Sequence, residues 1–138
     1  MNPSANSDSD STSPAWLLVV DDDEPIRVMV AEFLADSGIE IVGAASGAAA
    51  LAVLASRPTE PVLALVDVLM PGIDGLTLAQ KLRARFKRGA VVMMSGHMSN
   101  LSWWPMELRD VPFLAKPFRL AELRELVVVA RANYEAGK

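Results

Sequence analysis

Four groups of polar residues follow apolar runs along this chain: Asp21-Asp22-Asp23 after Trp16–Val20, Asp67 after Leu63–Val66, Ser95 after Ala90–Met94, and Lys116 after Phe113–Ala115. Together these residue types suit one chemistry. Carboxylates gathered in one place repel each other, by roughly 4 kcal/mol per pair at 4 Å and an effective dielectric of 20, so a cation must accompany them. Lys116 offers one positive charge. A hard ion such as Mg²⁺, held by a few carboxylates, a carbonyl and waters, adds to it and leaves coordination positions open for a phosphoryl oxygen. Ser95 and Lys116 can donate hydrogen bonds to the other phosphoryl oxygens, which leaves Asp67 as a nucleophile that forms an acyl phosphate.

Such chemistry needs the four groups to meet, and the elements between them provide for it. Trp16–Val20 and Pro61–Asp67 are apolar runs of strand length bounded by turn signals, as expected of strands buried on both faces. Ala90–Met94 is a further strand candidate, and Glu40–Ala44 and Phe113–Ala115 are short ones. Between them the period changes to that of helices. Ile26, Val30, Phe33 and Leu34 share a helical face, with Pro25 at the start and Gly38 as the stop. Ser46 is an N-cap for a helix to about Ala55, which Pro58 bars from continuing. Leu76, Ala79, Leu82 and Phe86 mark a third helix, and Leu120, Leu123, Leu126, Val127 and Ala130 mark the last. The segment Ser99–Asp110, where a fourth helix belongs, carries Trp103-Trp104-Pro105. An interior proline costs a helix roughly 3 kcal/mol, so this helix is expected to be short or to restart at Pro105. Strict β/α alternation predicts an α/β fold with a doubly wound parallel sheet, because parallel neighbours need crossover helices. Ligands of such sheets bind at the carboxyl ends of the strands, where all four polar groups fall.

Composition narrows the function further. The 138 residues are 51% hydrophobic, enough for one well-packed domain. A formal charge of −4 argues against a basic nucleic-acid face, and direct nucleic-acid binding is not expected. The absence of cysteine excludes disulfides and thiolate chemistry, and one histidine, His97, cannot build a multi-His metal site. There is no signal-peptide pattern and no apolar run of spanning length, so no membrane insertion is expected and the cytoplasm is the expected location. Residues 1–14 are rich in Ser, Asn, Asp and Pro and read as a disordered tail, with the folded domain over 15–134 and a short tail over 135–138.

The segments Val19-Val20-Asp21-Asp22-Asp23, Asp67-Val68-Leu69-Met70-Pro71-Gly72, Met94-Ser95-Gly96 and Ala115-Lys116-Pro117-Phe118 resemble, in order and spacing, the motifs of bacterial response-regulator receiver domains. The resemblance runs from about Trp16 to Ala132. It implies a flavodoxin-like fold with strand order 2-1-3-4-5 and a role in two-component phosphorelay signalling. By it, Asp67 is the phosphoacceptor, served by a phosphohistidine of a sensor histidine kinase or histidine phosphotransfer protein. Asp21 and Asp22, with Asp67 and the backbone carbonyl of Leu69, correspond to the Mg²⁺ ligands. Ser95 and Lys116 correspond to the hydroxyl and lysine that bind the phosphoryl group, and Ser95 and Phe113 to the switch residues. The surface around the fourth helix, the fifth strand and the last helix corresponds to the output surface, and the Lys116–Pro117 bond is expected to be cis. Trp103-Trp104-Pro105 departs from the usual pattern. The last helix is not followed by an output domain, which leaves a stand-alone regulator and a receiver cut from a longer protein both open, along with a homodimer.

Taken singly, each motif also has an ordinary reading. The acids can be a solvated helix start, Ser95 a cap, Lys116 a surface lysine, His97 an exposed loop residue, and the tryptophans partial core. Two rival functions remain. An aspartyl-phosphate phosphatase-like enzyme would carry a second acid two residues after the nucleophile, where Leu69 stands. A flavodoxin-like binding module would carry a Gly/Ser/Thr-rich phosphate loop after the first strand, where acids stand. The receiver reading makes the protein a phosphoacceptor that promotes its own phosphorylation and dephosphorylation rather than an enzyme acting on others. In that family the residues two beyond the phosphoacceptor and two beyond the hydroxyl residue flank the path of the hydrolytic water; here they are Leu69 and His97. Leu69 has no group to orient a water, so self-dephosphorylation should be slow. Leu69→Asn should speed it several-fold while leaving phosphorylation intact, as read by loss of label at matched Mg²⁺ and pH.

Overall fold

Trp16–Val20 form β1, and every one of its residues is buried. A strand with apolar side chains on both faces is stable only when both faces are covered, each fully buried aliphatic side chain contributing about 1.5–3 kcal/mol. That covering is what the computed structural model shows, over the residues it describes: 14–68, 75–96, 108 and 110–137. In chain order the elements are β1, α1 (Glu24–Phe33), β2 (Glu40–Ala44), α2 (Gly47–Ser56), β3 (Leu63–Asp67), α3 (Gly75–Arg85), β4 (Ala90–Ser95), β5 (Phe113–Ala115) and α4 (Leu120–Glu135). The strands form one five-stranded sheet in the order β2-β1-β3-β4-β5, and every pairing is parallel. This is the doubly wound order that the resemblance implies.

Alternation along the strands divides the core in two. Trp16, Leu18, Val20, Ala64 and Val66 pack with Ala50 and Leu54 of α2 and with Leu78, Ala79 and Leu82 of α3. Leu17, Val19, Leu63 and Leu65 pack on the other face with Val30 of α1, Leu34, and Leu123, Val127 and Ala130 of α4. Ser46 caps α2, its Oγ accepting from Ala49 N at 3.0 Å.

Several element boundaries differ from expectation. The first helix ends at Phe33 rather than running to Gly38, because the chain tightens: Ala35 N donates to Glu32 O, and the Ser37 hydroxyl takes the Leu34 carbonyl at 2.7 Å. Gly38 then turns the chain at φ 80°, a backbone conformation that glycine adopts without steric cost. The third strand begins at Leu63 rather than Pro61, although Val62 N already donates to Trp16 O at 2.8 Å. In α3 the buried face includes Leu78, which the expected periodicity omitted, whereas Phe86 and Leu76 are only partly buried. The last helix reaches Glu135, one residue into the expected C-terminal tail. The expected N-terminal tail, but for Pro14, and the irregular segment with Trp103, Trp104 and Pro105 lie outside the described residues. None of the described helices is long and apolar enough to cross a membrane.

At the edge of the sheet opposite the four polar groups, Glu60 anchors the turn between α3 and β4. Its carboxylate accepts from the backbone N–H groups of Lys87, Arg88 and Gly89 at 2.8–3.1 Å. Burial alone would raise its pKa, but these three donors and the nearby Arg88 charge hold the carboxyl below the ordinary value of 4.5. A folded-state pKa below the unfolded one contributes stability that is present above pH 4.5 and is lost as the pH falls through the folded value. Glu60→Gln is therefore expected to lower stability at pH 7 by about 1–2 kcal/mol, a range reduced for partial exposure. Urea unfolding at neutral and acid pH should show the gap from wild type closing as the pH falls.

Candidate functional site

The backbone of each site residue is held by the sheet ladder at or just past a strand end. Asp21 N donates to Ala44 O at 3.1 Å, Val68 N, next to Asp67, to Met94 O at 2.9 Å, and Lys116 N to Ser95 O at 2.9 Å. Asp67 closes β3 opposite Met94, and Ser95 closes β4 opposite Ala115. The parallel strands thus deliver Asp21, Asp67, Ser95 and Lys116 to one edge. Asp21, Asp67 and Ser95 are buried there, and Asp22 is exposed.

Lys116 Nζ lies 2.6 Å from Asp21 Oδ2 and 3.5 Å from Asp67 Oδ2, so a single ammonium faces both buried carboxylates. Partial burial lowers its proton affinity. The hydrogen bond and charge of Asp21, joined by the charge of Asp67, more than offset this and hold the ammonium above the ordinary lysine pKa. Asp21 Oδ1 accepts from Asp23 N at 2.9 Å, and the Asp21 backbone carbonyl accepts from Arg27 at 2.6 Å. Among the described residues no buried side-chain nitrogen or oxygen lacks a hydrogen-bond partner.

Asp21, Asp22 and Asp67 each offer a carboxylate oxygen, and the three lie within 4.8 Å of one another. An all-oxygen donor set, open to solvent on the Asp22 side, suits a hard divalent ion such as Mg²⁺, which binds through few carboxylates and keeps several waters. Phe113 opens β5, is partly buried and packs against the α2/α3 side of the core. The Lys116–Pro117 peptide bond is cis. Leu69, expected to supply a backbone carbonyl, and His97 lie outside the described residues.

The sequence matches the family described as the response regulator receiver domain over residues 17–128. The chain belongs to that family. This receiver domain is 40% identical over 101 residues to the transcriptional regulatory protein FixJ of Azorhizobium caulinodans, a match covering 72% of the chain and 47% of FixJ. The chain thus spans about half of that relative's length or less. Among solved structures, the receiver resembles the chemotaxis protein CheY4 of Vibrio cholerae at TM-score 0.74 and 27% identity, covering 86% of this chain and 99% of that one. It also resembles the response regulator TrrA of Thermotoga maritima in complex with Mg²⁺-BeF, at TM-score 0.72 and 30% identity, covering 84% and 98%. It is a receiver of two-component phosphorelay signalling.

Sequence reasoning missed two residues of the site. Arg27 is one, and its signal was a lone basic residue one turn into a helix opened by four acids. Gly75 is the other. A Cβ on Gly75 would stand 1.7 Å from the Asp67 carbonyl oxygen and 2.8 Å from Val68 Cα. Gly75 N donates to Val68 O at 3.2 Å, so α3 begins directly against the backbone that carries Asp67. Only glycine permits that approach. Gly75→Ala is expected to destabilise the protein by about 3 kcal/mol or more, the upper range for an overpacked site whose neighbour is rigid backbone. Denaturant unfolding reads this, and phosphorylation of whatever fraction stays folded should also fall.

Proposed function

We propose that Asp67 accepts a phosphoryl group from the phosphohistidine of a sensor histidine kinase or histidine phosphotransfer protein. A carboxylate oxygen of Asp67 attacks phosphorus, the P–N bond to imidazole breaks, and the electron pair leaves with the ring nitrogen. The observation that carries this reading is the Lys116 ammonium, shared between Asp21 and Asp67 at the edge where the three carboxylates gather. Lys116 can turn from the carboxylates to a phosphoryl oxygen, whose negative charge then takes their place as partner of the ammonium. Ser95, at the end of β4, donates its hydroxyl to a second phosphoryl oxygen. Asp21, Asp22 and Asp67 would hold Mg²⁺, with the Leu69 carbonyl as a further ligand, and the bound ion supplies charge that neutralises the carboxylates and the phosphoryl oxygens.

Drawing Ser95 and Lys116 toward the phosphoryl group would pull on the carboxyl ends of β4 and β5, and Phe113 opens the second of these strands. This supports a switch in which the surface around β5, α4 and the segment before β5 carries the output. The receiver also promotes loss of its own phosphoryl group, as the family's site chemistry implies.

Asp67→Asn is expected to abolish labelling by a small-molecule phosphodonor with Mg²⁺, since an amide is a poor nucleophile. Mass spectrometry should find one acid-stable, base-labile phosphoryl group on the wild type and none on the variant. Unchanged labelling of Asp67→Asn would sink the assignment.

A further inference from the structure

Asp22 is the exposed member of the carboxylate cluster, and its position depends on its backbone. The peptide unit before it contains the Asp21 carbonyl, which accepts from Arg27 at 2.6 Å. The peptide unit after it contains Asp23 N, which donates to Asp21 Oδ1 at 2.9 Å. With both flanking peptide units tethered, the backbone torsions of Asp22 are fixed, and its side chain leaves the turn in one direction. Asp21 itself is held by Ala44 and Lys116. On the first unit the tether comes from a side chain of α1, that of Arg27.

The edge strand makes room for it. A Cβ on Gly43 of β2 would lie 3.1 Å from Arg27 Cδ and 3.5 Å from its Nε, so the missing side chain leaves a slot along which the Arg27 stem runs. Glycine in the interior of a strand weakens the strand and often marks a close approach. Here the approach is by Arg27.

We propose that Arg27 is a positioning residue for the cation site: it orients Asp22 through the Asp21 carbonyl, and Gly43 keeps its path open. The proposal rests on Asp21, Asp22 and Asp67 being the Mg²⁺ ligands. It makes a prediction opposite in sign to simple electrostatics. Arg27 places a positive charge beside the acid turn, so on charge alone its neutralisation would tighten Mg²⁺ binding. Loss of orientation would weaken it, because groups that orient metal ligands typically change affinity by about 10- to 100-fold.

The test titrates Mg²⁺ against the metal-stripped full chain and follows the rise in melting temperature, which reports binding to the folded state alone. Arg27→Gln is expected to weaken Mg²⁺ binding by about tenfold, the low end of that range. Arg27→Lys, which keeps a charged donor, should recover most of the loss. Gly43→Val keeps the arginine but obstructs its stem, and should weaken binding in the same direction. At saturating Mg²⁺ the labelling rates of all three should approach that of the wild type. Mg²⁺ binding by Arg27→Gln as tight as the wild type's, or tighter, overturns the role given to Arg27. Should that variant fail to fold, Gly43→Val decides by the same criterion. A wild type whose melting temperature ignores Mg²⁺ overturns the metal reading and this role together, whereas a responsive wild type matched by both variants overturns this role alone.

Discussion

Asp21 follows β1 and Asp67 closes the neighbouring β3, both buried, and with carboxylate oxygens within 4.8 Å of each other they repel, when both are charged, by roughly 4 kcal/mol at an effective dielectric of 20. A fold that concentrates like charge in this way must also bring the opposite charge, and Lys116 does so from beyond β5. Its ammonium reaches Asp21 at 2.6 Å and Asp67 at 3.5 Å. Removing one partner of a buried ion pair leaves the other charge uncompensated, which costs more than the pair contributes. The sheet edge is therefore tense by construction, and a divalent ion or a phosphoryl group that enters finds its counter-charges already in place.

The sheet order makes this geometry possible. With β1 and β3 adjacent, the two buried acids come together, and β4 and β5 follow on one side to bring Ser95 and Lys116. Two glycines let neighbouring backbones close in. Gly75 lets α3 start against the carbonyl of Asp67, and Gly89 sits where a Cβ would meet the Pro61 carbonyl oxygen at 2.3 Å. Glu60 fastens the turn that carries Gly89, and the Tyr134 hydroxyl donates to the Glu60 backbone carbonyl at 3.0 Å. Arg88 stacks on the Tyr134 ring at 4.3 Å and donates to the Tyr134 carbonyl. The amino-terminal edge is thus tied to α4, while the carboxyl-terminal edge is left to the chemistry.

The two acids that follow β1 differ in their surroundings. Asp21 is fully buried with both carboxylate oxygens engaged, by Asp23 N and by Lys116, so it acts as a fixed anchor. Asp22 is exposed and owes its aim to the backbone. One carboxylate held by a backbone N–H and the Lys116 ammonium, and one carried on a tethered turn, together give a site that is rigid at its base and open to water at its mouth. That combination suits an ion that keeps several waters.

The sequence alone determined the alternation of strands and helices, the buried character of β1 and β3, the cap at Ser46, and the placing of Asp21, Asp67, Ser95 and Lys116 at strand ends. Each of these rests on the period of apolar residues or on a residue and its near neighbours, and such signals are local. The irregular stop of α1 was harder to read, because Gly38 looks like a helix end while the helix closes earlier through the hydroxyl of Ser37. Only the tertiary structure decided that Lys116 sits closest to Asp21, a partner 95 residues away. It also decided that Arg27 reaches the Asp21 carbonyl and that Gly75 lies against the backbone of Asp67. These depend on distances between segments brought together by packing, and no period or spacing along the chain encodes a distance across a sheet edge.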